Sequence, residues 1–404
     1  MCLHNKKNNE LYVSEFNELF AQSKFYVQNP EILKKEIFEK SKKNSIETDS
    51  IELPVPFPDP FQYEIIKHKG FVKYPQRLKN YIIAKHEKYS ILRNFYPTIL
   101  DIEPVTRCNF RCNMCQLTTW KKGQRTKDLD LNDFKSFIDE QYGLCEVKLQ
   151  GIGEPLLHPK FIDMIEYLVF KHIWVRTTIN GSLLHLHNNY QRLIDSGVSE
   201  VQISFDGATK DVFEKIRINS NFEQIRDNLT MLCSYEHSKN IVVTRLWVLL
   251  QNYNVHQIFD FVEIAKDMGF KRLTFSMALS DWGQEKFRIH NTKLSIEDKI
   301  SDEIIEKLIK INEVGEIEIT FWNLSSKYSF NSIETLCPWP FSRSYIGADM
   351  KIAPCCMVAN PDIYSLGSAK EYISNWNSDR YINFRKMHLN GNIPNICKNC
   401  YADS

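Results

Sequence analysis

From about residue 97 onward, short apolar runs alternate with amphipathic stretches. The runs TILDIEP (98–104), EVKLQG (146–151), IWVRTTI (173–179), EVQISF (200–205), IVVTRLWVLL (241–250) and RLTFSM (272–277) have the length and the β-branched or aromatic content of strands. Between them, residues 131–142, 160–172, 189–197, 221–237 and 255–269 place apolar side chains at helical spacing. Six strands separated by helices predict right-handed βαβ units, and so an α/β fold with a parallel sheet, open or curled toward a barrel. In that architecture the chemistry gathers where the strands end.

The flanks read differently. Amphipathic stretches at Leu11–Tyr26 and Pro30–Lys43 predict helices, the proline-rich LPVPFPDPF (53–61) breaks the pattern, and a third helix is expected near Pro75–Phe95. No chemistry is visible in this extension, which reads as an accessory or substrate-docking element. On the far side, a polar helical connector (294–313) and one more strand-like run, EIEITFW (316–322), lead to a cysteine-rich tail. The expected organisation is an N-terminal helical accessory region (1–95), a core (96–290), a linker (291–335) and a small cysteine-rich C-terminal domain (336–404).

Composition narrows the function. The content of 43% hydrophobic and 25% charged residues is globular. Lys and Arg number 51 against 50 Asp and Glu, too even for a protein built mainly to hold nucleic acid or an acidic membrane. No apolar run is long enough to span a bilayer, and the N-terminus lacks the apolar stretch of a secretory signal. The expectation is a cytoplasmic protein with neither nucleic acid nor membrane as partner. In a reducing compartment, clustered thiols bind metal more often than they pair. Most of the 11 cysteines do cluster, at 108, 112 and 115 and again at 337, 355, 356, 397 and 400. Cys2, Cys145 and Cys233 stand alone, and Cys145 and Cys233 read as core.

Directly after the first strand the chain reads EPVTRCNFRCNMC. Thiolates at Cys108, Cys112 and Cys115 can wrap a [4Fe–4S] cube, ligating three irons and leaving the fourth open, as a catalytic cluster requires. The alternatives are buried free thiols or a structural zinc, which would want a fourth ligand; no cysteine or histidine lies nearby on either side. The loop resembles the CxxxCxφC signature of the radical SAM superfamily, with Met114 at the position φ that is usually aromatic. That resemblance implies a partial (β/α)6 TIM-like barrel. It also implies S-adenosylmethionine (SAM) chelated at the open iron through its amino and carboxylate groups. A reducing partner such as flavodoxin or ferredoxin would supply one electron, and homolysis would give a 5′-deoxyadenosyl radical that takes hydrogen from substrate.

The resemblance extends along the strand ends. Gly151-Ile152-Gly153-Glu154-Pro155 looks like the family's GGEP motif for the methionine amino group, although an ordinary Gly/Pro turn would read the same. Ser204 and Asp206 match the S-x-D-G strand end, and Arg217 matches an arginine that pairs with the SAM carboxylate. Asn180, before Gly181, offers a polar group to the cofactor or marks an ordinary turn, and Arg217 has a solvated helix face as its alternative. Leu249, Leu250 and Asn254 frame adenine or simply pack. Glu103, beside the loop, is the candidate general base, with an ordinary strand-end charge as the alternative.

In the tail, Cys337, Cys355, Cys397 and Cys400 supply four thiolates, enough for a cube or a zinc ribbon. With Gly347, the Cys355-Cys356 pair, a helix carrying Arg385 and the final CxxC, the tail resembles the SPASM/twitch domain of the same superfamily. Five cysteines there imply one auxiliary [4Fe–4S] cluster, an electron relay or structural prop. Cys356 is left as a packed thiol, an alternate ligand or a hydrogen donor to substrate. The implied activity is of the radical SAM oxidoreductase or epimerase type: dehydrogenation, epimerisation or cross-linking of a peptide or a small hydroxylated molecule. The reading from a different class is a non-catalytic zinc or iron–sulfur scaffold.

Overall fold

The structure, a computed structural model, describes residues 2–43, 54–121, 125, 127–277, 279–296, 300–322 and 328–401, with backbone alone for 2–11 and 41–43. Twelve strands occur among them: β1 (Ile99–Ile102), β2 (Arg111–Cys112), β3 (Glu146–Leu149), β4 (Trp174–Ile179), β5 (Glu200–Ser204), β6 (Arg217–Ile218), β7 (Thr244–Leu249), β8 (Arg272–Ser276), β9 (Glu318–Trp322), β10 (Tyr345–Ile346), β11 (Lys351–Ala353) and β12 (Gly367–Ser368). Ten form one sheet in the order β12-β11-β10-β1-β3-β4-β5-β7-β8-β9, parallel from β10 through β9. This is the partial α/β barrel expected, with two corrections. The run assigned to the linker pairs in parallel with β8 over five residues, so β9 is a seventh core strand. The tail also joins the barrel, because β10 pairs in parallel with β1. Strands as short as β10 carry no periodicity to read.

The strands alternate strictly. Leu100, Val147, Val175, Val201, Leu246 and Leu273 face outward and share one core with helix residues such as Phe134, Met164, Leu193 and Phe261. Burying these positions against the helices is what holds the sheet, at roughly 1.5–3 kcal/mol for each large apolar side chain. The residues between them, among them Asp101, Lys148, Arg176, Gln202 and Arg245, therefore point into the barrel. A barrel lumen is ordinarily filled by branched apolar side chains. Here it is polar and charged.

Four helices precede the barrel: α1 (Cys2–Gln28), α2 (Pro30–Lys43), α3 (Pro60–Lys73) and α4 (Pro75–His86). The sequence reading missed α3, taking its prolines as a break. Pro60 instead sits at the first helical position, where its missing N–H is no loss, and Asp59 caps the Gln62 N–H. The third predicted helix, which is α4, ends at His86 rather than running on to Phe95. Phe71, Leu78 and Ile82 pack on Cys145 at the start of β3, so Cys145 is core as expected, and Cys233 is buried as well. Arg77, 4% exposed, donates to the carbonyls of Lys171 and His172 at 2.9 Å each, bolting α4 to the end of the helix 161–170. The connector before α3 covers β9, where Phe321 N–H donates to the Pro54 carbonyl at 2.7 Å, and Arg245 reaches the Phe57 carbonyl from inside the barrel. With the Tyr63 ring tilted against Trp174 at 5.4 Å, these segments close the lower mouth. No helix among the described residues is long and apolar enough to cross a membrane.

Candidate active site

The cysteine loop lies just above β1, and β2 within it forms a two-stranded ribbon with β6, in which Cys112 is directly opposite Arg217. Arg217 is 7% exposed; it forms an ion pair with Asp206 at 2.6 Å, and its Nη1 lies 3.9 Å from the Cys112 sulfur. Its Nε has no hydrogen-bond partner. Asp206 is fully buried and also accepts from the Leu249 N–H at 2.8 Å. Burial pushes its carboxyl up and Arg217 pulls it back. Asp206 is thus a positioning residue, and the orphaned guanidinium nitrogen is the donor left for an anionic ligand.

Burial pushes the Cys108 thiol up to about 12, with Glu154, Cys112 and Cys115 adding to the rise. It does the same to Cys115, and in the same direction to Cys112. Three thiols that act on one another and sit beside an arginine fit a shared metal group that takes thiolates and releases their protons. Among the described residues no group of three or more His, Cys, Asp or Glu side chains is placed to hold a single metal ion.

The turn after β3 is pressed onto this loop. A Cβ on Gly153 would meet the Val105 and Arg107 carbonyl oxygens at 2.3 and 2.5 Å, and Glu154 N–H donates to the Arg107 carbonyl at 2.8 Å. Gly153→Ala is therefore expected to cost about 1–3 kcal/mol and to lower the iron retained after reconstitution, measured by thermal unfolding and iron content. Gly151 makes room for Glu103, whose Cγ would stand 2.2 Å from an added Cβ. Glu154 accepts from the Asn180 N–H at 2.8 Å and the Leu156 N–H at 3.2 Å, and burial pushes it up to about 7.

Two of the candidate side chains meet partners within the protein. Glu103 is fully buried, accepts from the Ile152 and Ala348 N–H groups, and is ion-paired to Arg125 at 3.1 Å. Its carboxylate braces the turn after β3 against the tail. The Asn180 side chain is committed within the protein, donating to Asn109 of the cysteine loop at 2.9 Å and accepting from Ser182. Ser204 stands on the inner face with Gln202, and Met114 packs with Ile216, Leu294 and Leu249. Leu250 is buried in the core, and Asn254 spends its amide on the Asp206 and Leu249 carbonyls.

Cys337, Cys355, Cys397 and Cys400 line one cavity of about 670 Å³, which Met277, Leu279, Asp281, Asn291 and Ser295 line as well. Burial raises the Cys355 thiol, with Cys356, Cys397, Cys337 and Cys400 adding to the rise, and burial with Cys337, Cys400 and Asp281 raises Cys397. Cys356 turns the other way. Its neighbours Cys355 and Met357 line the cavity and it does not. Burial pushes its thiol up to about 12, Asp101 adds to this, and Lys148 and Arg343 oppose it. The sequence did not single out the inner-face charges; their signal is a charged or polar side chain at every second position of strands flanked by helices, as in Glu146-Val-Lys148-Leu-Gln150.

A parallel α/β barrel with a three-thiol loop above its first strand, and four more thiols on an appended module, defines a class: enzymes whose chemistry is supplied by cysteine-held iron–sulfur groups. The radical SAM superfamily profile matches residues 102–263, and that of the SPASM iron–sulfur cluster-binding domain matches 337–401. The tungsten-containing aldehyde ferredoxin oxidoreductase cofactor-modifying protein of Pyrococcus furiosus is 24% identical over 323 residues, 74% of this chain and 86% of that protein. The mycofactocin maturase MftC of Mycobacterium ulcerans is 29% identical over 178 residues, which span 45% of its length. Streptococcus suis SuiB bound to S-adenosylmethionine superposes with a TM-score of 0.58 at 15% identity, covering 90% of this chain and 79% of that one. SuiB bound to the precursor peptide SuiA gives 0.57 at 14%, covering 89% and 79%. The chain belongs to the radical SAM superfamily and carries a C-terminal SPASM domain. Its barrel domain binds a [4Fe–4S] cluster and SAM, and its SPASM domain binds auxiliary iron–sulfur.

Proposed function

We propose that Cys108, Cys112 and Cys115 hold the catalytic [4Fe–4S] cluster, and that Cys337, Cys355, Cys397 and Cys400 hold one auxiliary [4Fe–4S] cluster. Arg217 and the Gly151–Pro155 turn receive the carboxylate and amino ends of SAM. The observation that carries this reading is the three-thiol loop closed by Arg217, whose Nε has no protein partner. When bound, the cluster and SAM supply a 5′-deoxyadenosyl radical that takes a hydrogen atom from substrate. The chain's own residues aim and shield that event. Asp206 fixes Arg217 opposite Cys112, Gly153 lets the turn after β3 seat against the loop, and the segments under the barrel keep water from entering below.

The substrate this reading favours is a peptide, supported by the likeness to SuiB in its peptide-bound form and to the mycofactocin maturases. Dehydrogenation, epimerisation or cross-linking is the outcome, with a flavodoxin or ferredoxin as electron source in the cytoplasm. Anaerobically purified protein is expected to carry about eight irons per chain. With SAM and dithionite it is expected to release 5′-deoxyadenosine. Stoichiometric zinc in place of iron, or no 5′-deoxyadenosine from reduced, cluster-loaded protein, rules the reading out.

A further inference from the structure

One row of the barrel's inner face is ionisable across five adjacent strands. Tyr345, Asp101, Lys148, Arg176 and Glu200 stand in register on β10, β1, β3, β4 and β5. Part of the row is compensated internally: Arg176 pairs with Glu146 at 3.0 Å, and Glu200 faces Arg245 and Arg272 at 3.9 and 3.7 Å. The remainder is not. Asp101 is 1% exposed, and its Oδ1 has no hydrogen-bond partner. Lys148 makes no side-chain hydrogen bond or ion pair among the described residues, and the Arg343 guanidinium meets only the Trp339 ring, at 5.6 Å. Gln150 Oε1 is likewise unpartnered. Charges and polar atoms left this way inside a protein carry a desolvation cost that a ligand of matching charge removes. Because the lower mouth is closed, what enters from above ends here. Cys356, turned away from the auxiliary cavity, stands beside the same groups.

We propose that Asp101, Lys148 and Arg343 form the floor of the substrate site. They take a carboxylate that bears an N–H or O–H donor on the adjacent carbon, as the C-terminal residue of a peptide does, with Lys148 and Arg343 as the cationic side and Asp101 accepting from the donor. The inference rests on the proposed function only in placing substrate in this lumen.

Cys356 makes the floor testable with simple reagents on cluster-loaded protein, where ligated thiols are protected. Iodoacetate is a carboxylate and an alkylating agent; the Cys356 sulfur displaces iodide and gains a carboxymethyl group. Iodoacetamide does the same without the charge. Peptide mass spectrometry reads both rates, with glutathione as reference. The iodoacetate-to-iodoacetamide rate ratio at Cys356 is expected to exceed that of glutathione by at least about tenfold, since one nearby buried cation suffices for that factor. Lys148→Met is expected to bring the ratio down to the glutathione value and Lys148→Arg to keep it, with iron content confirming that both variants are folded. Glycine is expected to protect Cys356 from iodoacetamide at lower concentration than acetate does, and Asp101→Asn to erase that difference. A ratio equal to glutathione's and unmoved by Lys148→Met overturns the proposal. Equal protection by glycine and acetate, or no labelling by either reagent, overturns it too. Release of 5′-deoxyadenosine by the same wild-type preparation separates this failure from failure of the proposed function.

Discussion

Cys115→Ala is expected to abolish SAM cleavage and to lower bound iron from about eight to about four per chain. Cys115 is one of three thiols that act on one another above β1, and nothing in the loop replaces it: the residue after it, Gln116, turns into the short helix Gln116–Thr119 and directs its amide to the Val358 carbonyl. Loss of an outer partner of a metal ligand already costs about 10–100-fold in affinity or activity, so loss of the ligand itself is expected to exceed the upper figure. The measurement is 5′-deoxyadenosine formed under dithionite, read beside iron content. Cys145→Ala is the control, since that thiol is packed behind β3 among Phe71, Leu78 and Ile82. Cleavage that survives in Cys115→Ala at more than a tenth of wild type would remove this cysteine from the cluster.

Arg217→Leu is expected to destabilise the protein by about 3–5 kcal/mol, because it strands the fully buried Asp206 carboxylate. The lost stability should depend on pH in a definite direction. Without Arg217, burial alone holds the Asp206 carboxyl above its unfolded value, so the variant is penalised at neutral pH and the penalty shrinks as pH falls and the group protonates. Asp206→Asn combined with Arg217→Leu is expected to recover most of the stability, since an amide oxygen still accepts from the Leu249 N–H. It is not expected to recover SAM affinity, because the free Nε is gone. Thermal unfolding across pH and SAM titration of the reconstituted protein read the two effects. If the double variant binds SAM like wild type, Arg217 is a structural brace only.

What was legible in the sequence was local. Three cysteines in eight residues, the turn after the second predicted strand and the period-two strands all carry their meaning within a few positions. The parallel sheet follows because each strand is separated from the next by a helix long enough to cross over. What was hidden depends on partners far along the chain. Glu103 reads as a strand-end charge until Ile152, Arg125 and Ala348 surround it. Asn180 reads as a turn residue until it meets Asn109. The N-terminal segment hid α3 because Pro60 both ends one pattern and begins another. Tyr345-Ile346 is too short to announce itself as a strand and becomes one only beside β1.

That pairing of β10 with β1 has a practical consequence. The tail is stitched to the barrel through the very strand that carries the cysteine loop, so the two iron-binding parts are halves of a single folding unit. Shortening the chain before Cys337 would not yield a simpler enzyme; it would strip β1 of its neighbour and leave a row of bare amide and carbonyl groups, an invitation to self-association.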